Sequence, residues 1–292
     1  MTTGTRFDRL QGFLYISPWL LGFVVLSAYP FISAVVYSLT DFDLFTIRVV
    51  GVDNYVRILR DDPLFRQSLS ATIRYTLLAV PAKLVLALIL ALMLNRAFAL
   101  VGLFRGIFYL PSILGGSVAL SILWRFLFRP DGLVNTFLAV AGVPAINWLG
   151  DPRLALYTIA LLPLWQLGSP MVLFLAGLKT IPRTLYESAA IDGTGPMRRF
   201  LHITLPLLSP VVLFNLVMQT IDILQLFTPA YVTTQGGPAH ATYLYSLLLY
   251  DTAFRDLKMG YASALSWVLF SVIMVFTLVF FRTSRRWAFY NE

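Results

Sequence analysis

Apolar residues gather in six long runs, at residues 13–39, 71–94, 104–128, 154–178, 206–227 and 259–281, separated by more polar connections. Each is long enough for a helix to cross the hydrocarbon core of a bilayer, which takes about 20 residues. The apolarity is continuous rather than alternating, so the pattern predicts helices and not the strands of a membrane barrel. It predicts an all-α, polytopic membrane protein with six transmembrane helices in one domain over residues 1–292. The first run is far longer than the core of a signal peptide, and no small-residue cleavage site follows Ser38, so it reads as an uncleaved first span. The connection at 40–70 predicts a turn plus short helices outside the membrane. Arg129-Pro130-Asp131-Gly132 is a turn signal, with a short surface helix expected over 133–142. In the third span, Pro111 and the Gly115-Gly116 pair predict close packing against neighbours.

Composition agrees with this pattern. The chain is 58% hydrophobic and 12% charged, where a soluble domain carries about 25% charge. The formal charge of +8 is a topology signal rather than a nucleic-acid patch, because it is segregated. The segments 1–12, 95–105, 179–199 and 282–292 hold 11 Lys and Arg against 4 acidic residues. The segments 39–74, 129–153 and 228–258 are each balanced to zero. The positive-inside rule therefore predicts both termini and the 179–205 loop on the cytoplasmic side. Cysteine is absent, which excludes disulfides and thiolate metal sites.

The loop between the fourth and fifth spans carries the most specific signal. Thr184-Leu185-Tyr186-Glu187 fits a capping box with Thr184 at the N-cap. Ser188, Ala189, Ala190 and Ile191 continue the helix, and Asp192-Gly193 stops it, since glycine accepts the left-handed conformation at a helix end. Gly195-Pro196 starts a second short helix. The product is a charged, Gly-hinged segment held at a membrane surface. Its residues Glu187-Ser188-Ala189-Ala190, Gly193, Ile203 and Leu205-Pro206 resemble the E-A-A-x3-G-x9-I-x-L-P loop of ABC importer permeases, with Ser188 in place of the motif's first alanine. Ser17-Pro18-Trp19-Leu20-Leu21-Gly22, Phe108-Tyr109-Leu110-Pro111, Gly236-Gly237-Pro238 and Gly260-Tyr261-Ala262-Ser263-Ala264 extend the resemblance over nearly the whole chain, to the sugar-permease branch related to the maltose permease. That relative's long extra outer domain is absent here.

The resemblance implies a type I importer fold, N-in and C-in, in a bacterial or archaeal cytoplasmic membrane. It implies a coupling helix in which Glu187, Ser188, Ala189, Ala190, Asp192 and Gly193 dock on a cytoplasmic ATPase subunit. The implied partners are a second, similar permease chain, two ABC ATPase subunits, an extracytoplasmic solute-binding protein and a carbohydrate. ATP and Mg²⁺ belong to the partners, since no GxxxxGK[ST] loop occurs in this chain. The chain is then a transport subunit and not an enzyme.

An ionisable group inside a membrane is expensive and usually faces a cavity. Gln219, Asp222, Ile223 and Leu226 follow a helical i, i+3, i+4, i+7 spacing in the fifth span, and Trp165, Gln166 and Ser169 come from the fourth. Positions 166, 169, 219 and 222 match sugar-contacting positions of the resembling maltose permease in location, not in residue type. Amides, a carboxylate and an aromatic face are what a carbohydrate site requires. The other reading of Asp222, Gln225 and Asn215 is that they bridge helices, with Lys83 or Arg125 as charge partner of Asp222. Trp19, Trp124, Trp148 and Trp267 read as interfacial anchors, and the lone His202 and His240 predict no metal. Two other classes compete with a sugar permease. One is a permease for a polyol or glycerol phosphoester; an anionic substrate would favour a cationic cavity, against which Asp222 argues. The other is an ion-coupled secondary transporter using Asp222 and Lys83, which predicts internal repeats that the chain lacks.

Overall fold

The computed structural model describes residues 6–96, 100–115 and 118–289, with side chains from residue 14 onward. Gly116 of the expected glycine pair and Glu292 of the charge count lie outside the described residues. Helix α1 (Arg6–Phe23) passes through a π-type turn at Val24–Ala28 into α2 (Tyr29–Ser38). Strands β1 (Thr40–Phe42) and β2 (Ile47–Val49) then form an antiparallel hairpin with Thr40 opposite Val49. Its turn closes on Asp43, whose carboxylate accepts the Thr46 N–H at 2.7 Å, the Phe45 N–H at 3.1 Å and the Thr46 hydroxyl at 3.0 Å. These bonds, the Thr46 N–H first, hold the Asp43 carboxyl below the usual carboxylate range.

Helix α3 (Asp53–Arg60) follows, and its buried Asn54 donates to the Ser38 and Thr40 carbonyls at 2.9 Å each. Of the connection at 40–70, the short helix agrees with the expectation and the hairpin departs from it. Helix α4 (Pro63–Leu94) also begins well before residue 71. Proline suits a first helical turn, and Phe65 and Ser68 are already buried there.

The third expected span is divided into α5 (Val101–Leu114) and α6 (Val118–Leu127). The Arg129–Gly132 turn is present, with the Gly132 N–H on the Arg129 carbonyl at 2.9 Å. The surface helix follows as α7 (Leu133–Val140). The fourth span is α8 (Ala155–Trp165) and α9 (Gly168–Thr180), bent by 47°. The cause is local. Gln166 leaves the helix at φ −92°, ψ 44°, and Pro170 lacks the N–H that would bond the Gln166 carbonyl.

After α10 (Arg183–Ile191) and α11 (Pro196–Arg199), a π-type turn at Phe200–Thr204 leads into α12 (Leu205–Leu224). Two short helices, α13 (Thr228–Thr233) and α14 (Tyr245–Tyr250), and a π-type turn at Asp251–Arg255 precede α15 (Met259–Ser284). Four stretches are long and apolar enough to cross a membrane, Leu14–Ser38, Pro63–Leu94, Pro196–Thr233 and Met259–Ser284. The bent pairs α5–α6 and α8–α9 bring the number to six if each pair counts as one span.

The chain gathers into two compact units. The first comprises residues 1–62 and 249–270. Within it Phe31 packs on Trp267 and Phe270, and the Tyr261 hydroxyl donates to Asp62 at 2.7 Å. The second comprises residues 63–248 and 271–292. There α4 is the central helix, packed on α8, α9 and α12. Every fourth residue of α4 from Ala71 onward faces this core: Ala71, Tyr75, Ala79, Lys83, Ala87 and Ala91 are all buried. Small residues in such a row let neighbouring helices approach closely, which is what drives association where lipid removes the hydrophobic incentive. Trp124 and Trp148, expected as membrane anchors, are tied into this unit: Trp124 Nε1 donates to the Thr158 carbonyl and Trp148 Nε1 to Asn135 Oδ1, each at 3.0 Å.

Gly177 on α9 is the counterpart of the α4 alanines, because a Cβ there would meet Leu208 Cδ1 at 2.7 Å and Val211 Cγ2 at 2.8 Å. Gly177→Val is therefore expected to destabilise the unit by about 1–3 kcal/mol, read as a lower thermal midpoint in detergent. Gly102→Val, where a Cβ meets nothing within 4 Å, is expected to leave the midpoint unchanged.

Candidate functional site

Two groups of side chains carry the functional expectations, and both lie in the second unit. The first is the α10–α11 segment. Helix α10 starts at Arg183 with Pro182 at the N-cap in extended conformation, and no side chain caps it. The capping box expected at Thr184 and Glu187 is therefore not formed: Pro182 sets the helix start early and leaves Thr184 inside the first turn. The helix end is as the sequence predicts. Gly193 has φ +69°, its N–H bonds the Ala190 carbonyl at 3.1 Å, and the Thr194 N–H bonds the Ala189 carbonyl at 2.9 Å. This is a Schellman closure, which a side chain with a Cβ strains. Gly195 and Pro196 then begin α11 as expected. Arg199 Nε donates to the Thr194 carbonyl at 2.7 Å and so fastens the hinge.

The segment is seated on one side and open on the other. Tyr186 packs against the core, and its hydroxyl lies 2.9 Å from the Thr204 hydroxyl, in the turn that feeds α12. Glu187, Ser188, Ala190, Asp192 and Gly193 are exposed, and Ala189 is half-buried. Among them stand apolar residues with no cover, Ile191 at 88% and Met197 at 69% exposure. A short helix that shows both carboxylates and bare apolar side chains has the composition of a docking knob.

The second group is the polar set in the spans, which the structure divides. Asp222 is exposed on α12 while Ile223 and Leu224 beside it are buried. Gln219 is buried at 6% exposure, and its Oε1 has no hydrogen-bond partner. Asn215, one turn earlier, donates to the Val211 carbonyl at 3.2 Å, and its Oδ1 is also unpartnered. Ile223 lies in the core, so it does not share an accessible face with Asp222. Leu226 lies past the end of α12 at Leu224, so the i+7 spacing does not place it on that helix; it packs against the core.

Lys83 interacts electrostatically with Asp222, with no ion pair within 4.0 Å between them. Arg125, the other expected partner, lines a separate recess with Ile122, Phe126 and Arg129.

Trp165, Gln166 and Ser169 flank the break between α8 and α9. Trp165 is 44% exposed. Gln166 Nε2 donates to the Gly115 carbonyl at 2.5 Å, and the Ser169 N–H donates to Ser112 Oγ at 3.2 Å. The interruptions of the third and fourth spans thus lean on each other, and Gln166 satisfies a carbonyl freed at the end of α5. Close approach at Gly168 makes this possible, since a Cβ there would lie 2.7 Å from the Phe108 carbonyl oxygen. Sequence reading singled out Gln166 but not this partner. The signal available was Gly115 in one run opposite Gly168-Ser169-Pro170 in the next.

Comparison with known proteins identifies the family. A family model described as "Binding-protein-dependent transport system inner membrane component" matches residues 65–287, and the chain belongs to that family. Its resemblance to the carbohydrate branch of ABC importer permeases is borne out, and the protein is a multi-pass membrane protein of the transport-subunit type. It is 44% identical to the probable ABC transporter permease protein YesP of Bacillus subtilis (strain 168), over 98% of this chain and 94% of that one. It is 36% identical to the lactose transport system permease protein LacF of Rhizobium radiobacter, over 96% of each chain. A solved bacterial ABC transporter involved in import of the acidic polysaccharide alginate contains a chain of the same fold, with TM-score 0.82 at 22% identity, covering 95% of this chain and 96% of that one.

Gln166→Leu is expected to orphan the Gly115 carbonyl inside the membrane at a cost of about 1–3 kcal/mol. It should lower the thermal midpoint of the substrate-free protein, whereas Trp165→Ala should change that midpoint little. Equal midpoints for wild type and Gln166→Leu in detergent would remove the structural role assigned to the amide.

Proposed function

We propose that this chain is a permease subunit of an ATP-driven, binding-protein-dependent importer of a sugar or oligosaccharide in the cytoplasmic membrane. It works with a second permease chain, two ATPase subunits that bind ATP and Mg²⁺, and a solute-binding protein outside. The observation that carries the reading is the α10 knob, closed by Gly193 and tied to α12 through Tyr186 and Thr204. Its exposed Glu187, Ser188, Ala190 and Ile191 are offered to a cleft on the ATPase, and the segregation of basic residues supports a cytoplasmic position for it. Nucleotide-driven closure of the ATPases moves α10, and the displacement passes into α12. In this reading the carbohydrate is met by the exposed Asp222 and Trp165, and the unpartnered Gln219 Oε1 is a further acceptor. Gln166 and Ser169 at the α8–α9 break and the core-packed Ile223 and Leu226 complete the proposed set. The sugar class rests on relatives such as the lactose permease and on this neutral-to-acidic donor and acceptor set.

Gly193→Pro tests the coupling role. Proline holds φ near −65° and cannot adopt the +69° of Gly193. The variant is expected to insert normally, lose sugar uptake, and fail to retain the ATPase subunits on affinity purification. Normal uptake and retention would sink the coupling role. Asp222→Ala is expected to reduce uptake by at least about tenfold, while ATPase subunits still co-purify. Parallel loss of assembly would instead make Asp222 a helix-bridging residue.

A further inference from the structure

Away from the α10 knob and the Asp222 region, the second unit contains a cavity of about 670 Å³. Its walls come from three places: the first turns of α4 (Gln67, Arg74), the start of α8 with its leading residue (Tyr157, Arg153), and the turn that carries His240. Two guanidinium groups line it and no carboxylate does. The segments 39–74, 129–153 and 228–258 balance to zero only with Arg74 and Arg153 counted, so the cavity gathers positive charge locally on a face that is neutral as a whole. The nearest acid along the chain, Asp151, has its Oδ1 engaged by the backbone N–H of Arg153 at 2.8 Å. Arg74 Nε donates to the Ser70 carbonyl at 3.3 Å, which orients its guanidinium without neutralising it. Among the described residues, neither Arg74 nor Arg153 takes part in an ion pair within 4.0 Å.

The third wall is built with care. Gln235, Ala239 and His240 all have positive φ, at +50°, +46° and +57°, a conformation costly for residues with a side chain. The turn is held there by Gln67 Nε2 on the Ala239 carbonyl at 3.3 Å and by the Thr242 hydroxyl on the Gly237 carbonyl at 2.7 Å. The outcome is His240 at the rim, beside two arginines.

We propose that this cavity docks an acidic segment of the extracytoplasmic solute-binding protein. The inference rests on the importer reading above, which puts the start of α4 outside the membrane. A protein segment fits better than a sugar. Arg74, Arg153, Tyr157 and His240 are all exposed, whereas a small polar ligand is gripped by a few enclosed, converging groups. Exposed, unneutralised guanidiniums give long-range attraction and bidentate capture of carboxylates. Rim charges of this kind govern how fast partners meet more than how slowly they part.

The test uses the complete transporter, with its second permease and ATPases, in nanodiscs, and the ligand-free binding protein as the probe in biolayer interferometry. Arg74→Glu with Arg153→Glu is expected to slow association by about tenfold or more and leave dissociation within about twofold. Association to wild type should fall as salt rises from about 50 to about 300 mM, and the double variant should lose that dependence. The milder Arg74→Gln with Arg153→Gln should lose part of the rate. Unchanged basal ATPase activity in both variants shows that they fold and assemble. Equal association rates for wild type and the reversed variant would overturn the proposal. So would a defect seen only with sugar-loaded binding protein, which would give the cavity to a sugar carboxylate, or loss of the second permease, which would make it a subunit contact. A wild-type assembly without ATPase activity would overturn the importer reading itself, and this inference with it.

Discussion

The second unit depends on one row of side chains. In a bilayer, apolar helices gain nothing by leaving lipid for one another, so association rests on close packing and on polar bonds between helices. Helix α4 answers that constraint with alanine at 71, 79, 87 and 91, and α8, α9 and α12 press against it. Gly177 lets Leu208 and Val211 approach α9 in turn. The row has one anomaly, the cation Lys83 at its middle, buried to 8% exposure. Placing a cation in the tightest seam of a membrane protein costs several kcal/mol unless charge balances it. Asp222 on α12 attracts it from beyond ion-pair distance and offsets part of that cost. Asp222 itself is open while Lys83 is closed in.

The second constraint is that backbone groups freed by a broken helix inside the membrane must find partners in the protein. The third and fourth spans are both interrupted, and Gln166 and Ser112 bond across the interruptions. Breaks stabilised in this way are tolerated only where protein or a water-filled cavity surrounds them, and in transporters discontinuous helices mark binding sites. Trp165 stands at one of these breaks. Trp165 at this break and Asp222 on α12 are both exposed.

Much of this was legible in the sequence, for reasons specific to each element. Hydropathy locates spans because lipid enforces it, and a glycine after Asp192 stops a helix because few other residues tolerate φ near +69°. The misses are equally physical. The polar first turns of α4 are helical because Pro63 starts them and Phe65 and Ser68 are buried, which a hydropathy window does not sense. The bend at Gln166 leaves the apolar run unbroken, so only the flanking Pro163 and Pro170 hinted at it. The N-cap went to Pro182 and not Thr184 because a proline's fixed φ outranks a hydroxyl that has merely the right spacing. Ile223 and Leu226 were placed by helical arithmetic that takes no account of the core or of where the helix ends.

The two sites then connect through α12. Tyr186 on α10 meets Thr204 at the turn entering α12, and the same turn runs without interruption into the helix that carries Gln219 and Asp222. From Thr204 to Asp222 is about 27 Å at 1.5 Å per residue. A helix of that length, pressed on α4 and α9, transmits displacement as a body. Under the proposed importer reading, a push on α10 reaches the cavity as a shift of Asp222 relative to Lys83, which the α4 seam holds in place. A stimulus biases a two-state equilibrium only through contacts that differ between the states. In the proposed mechanism the Lys83–Asp222 attraction serves as such a contact, since its strength varies with separation and the two charges sit on different helices. In that proposed mechanism the buried lysine makes the field at Asp222 depend on the position of α12.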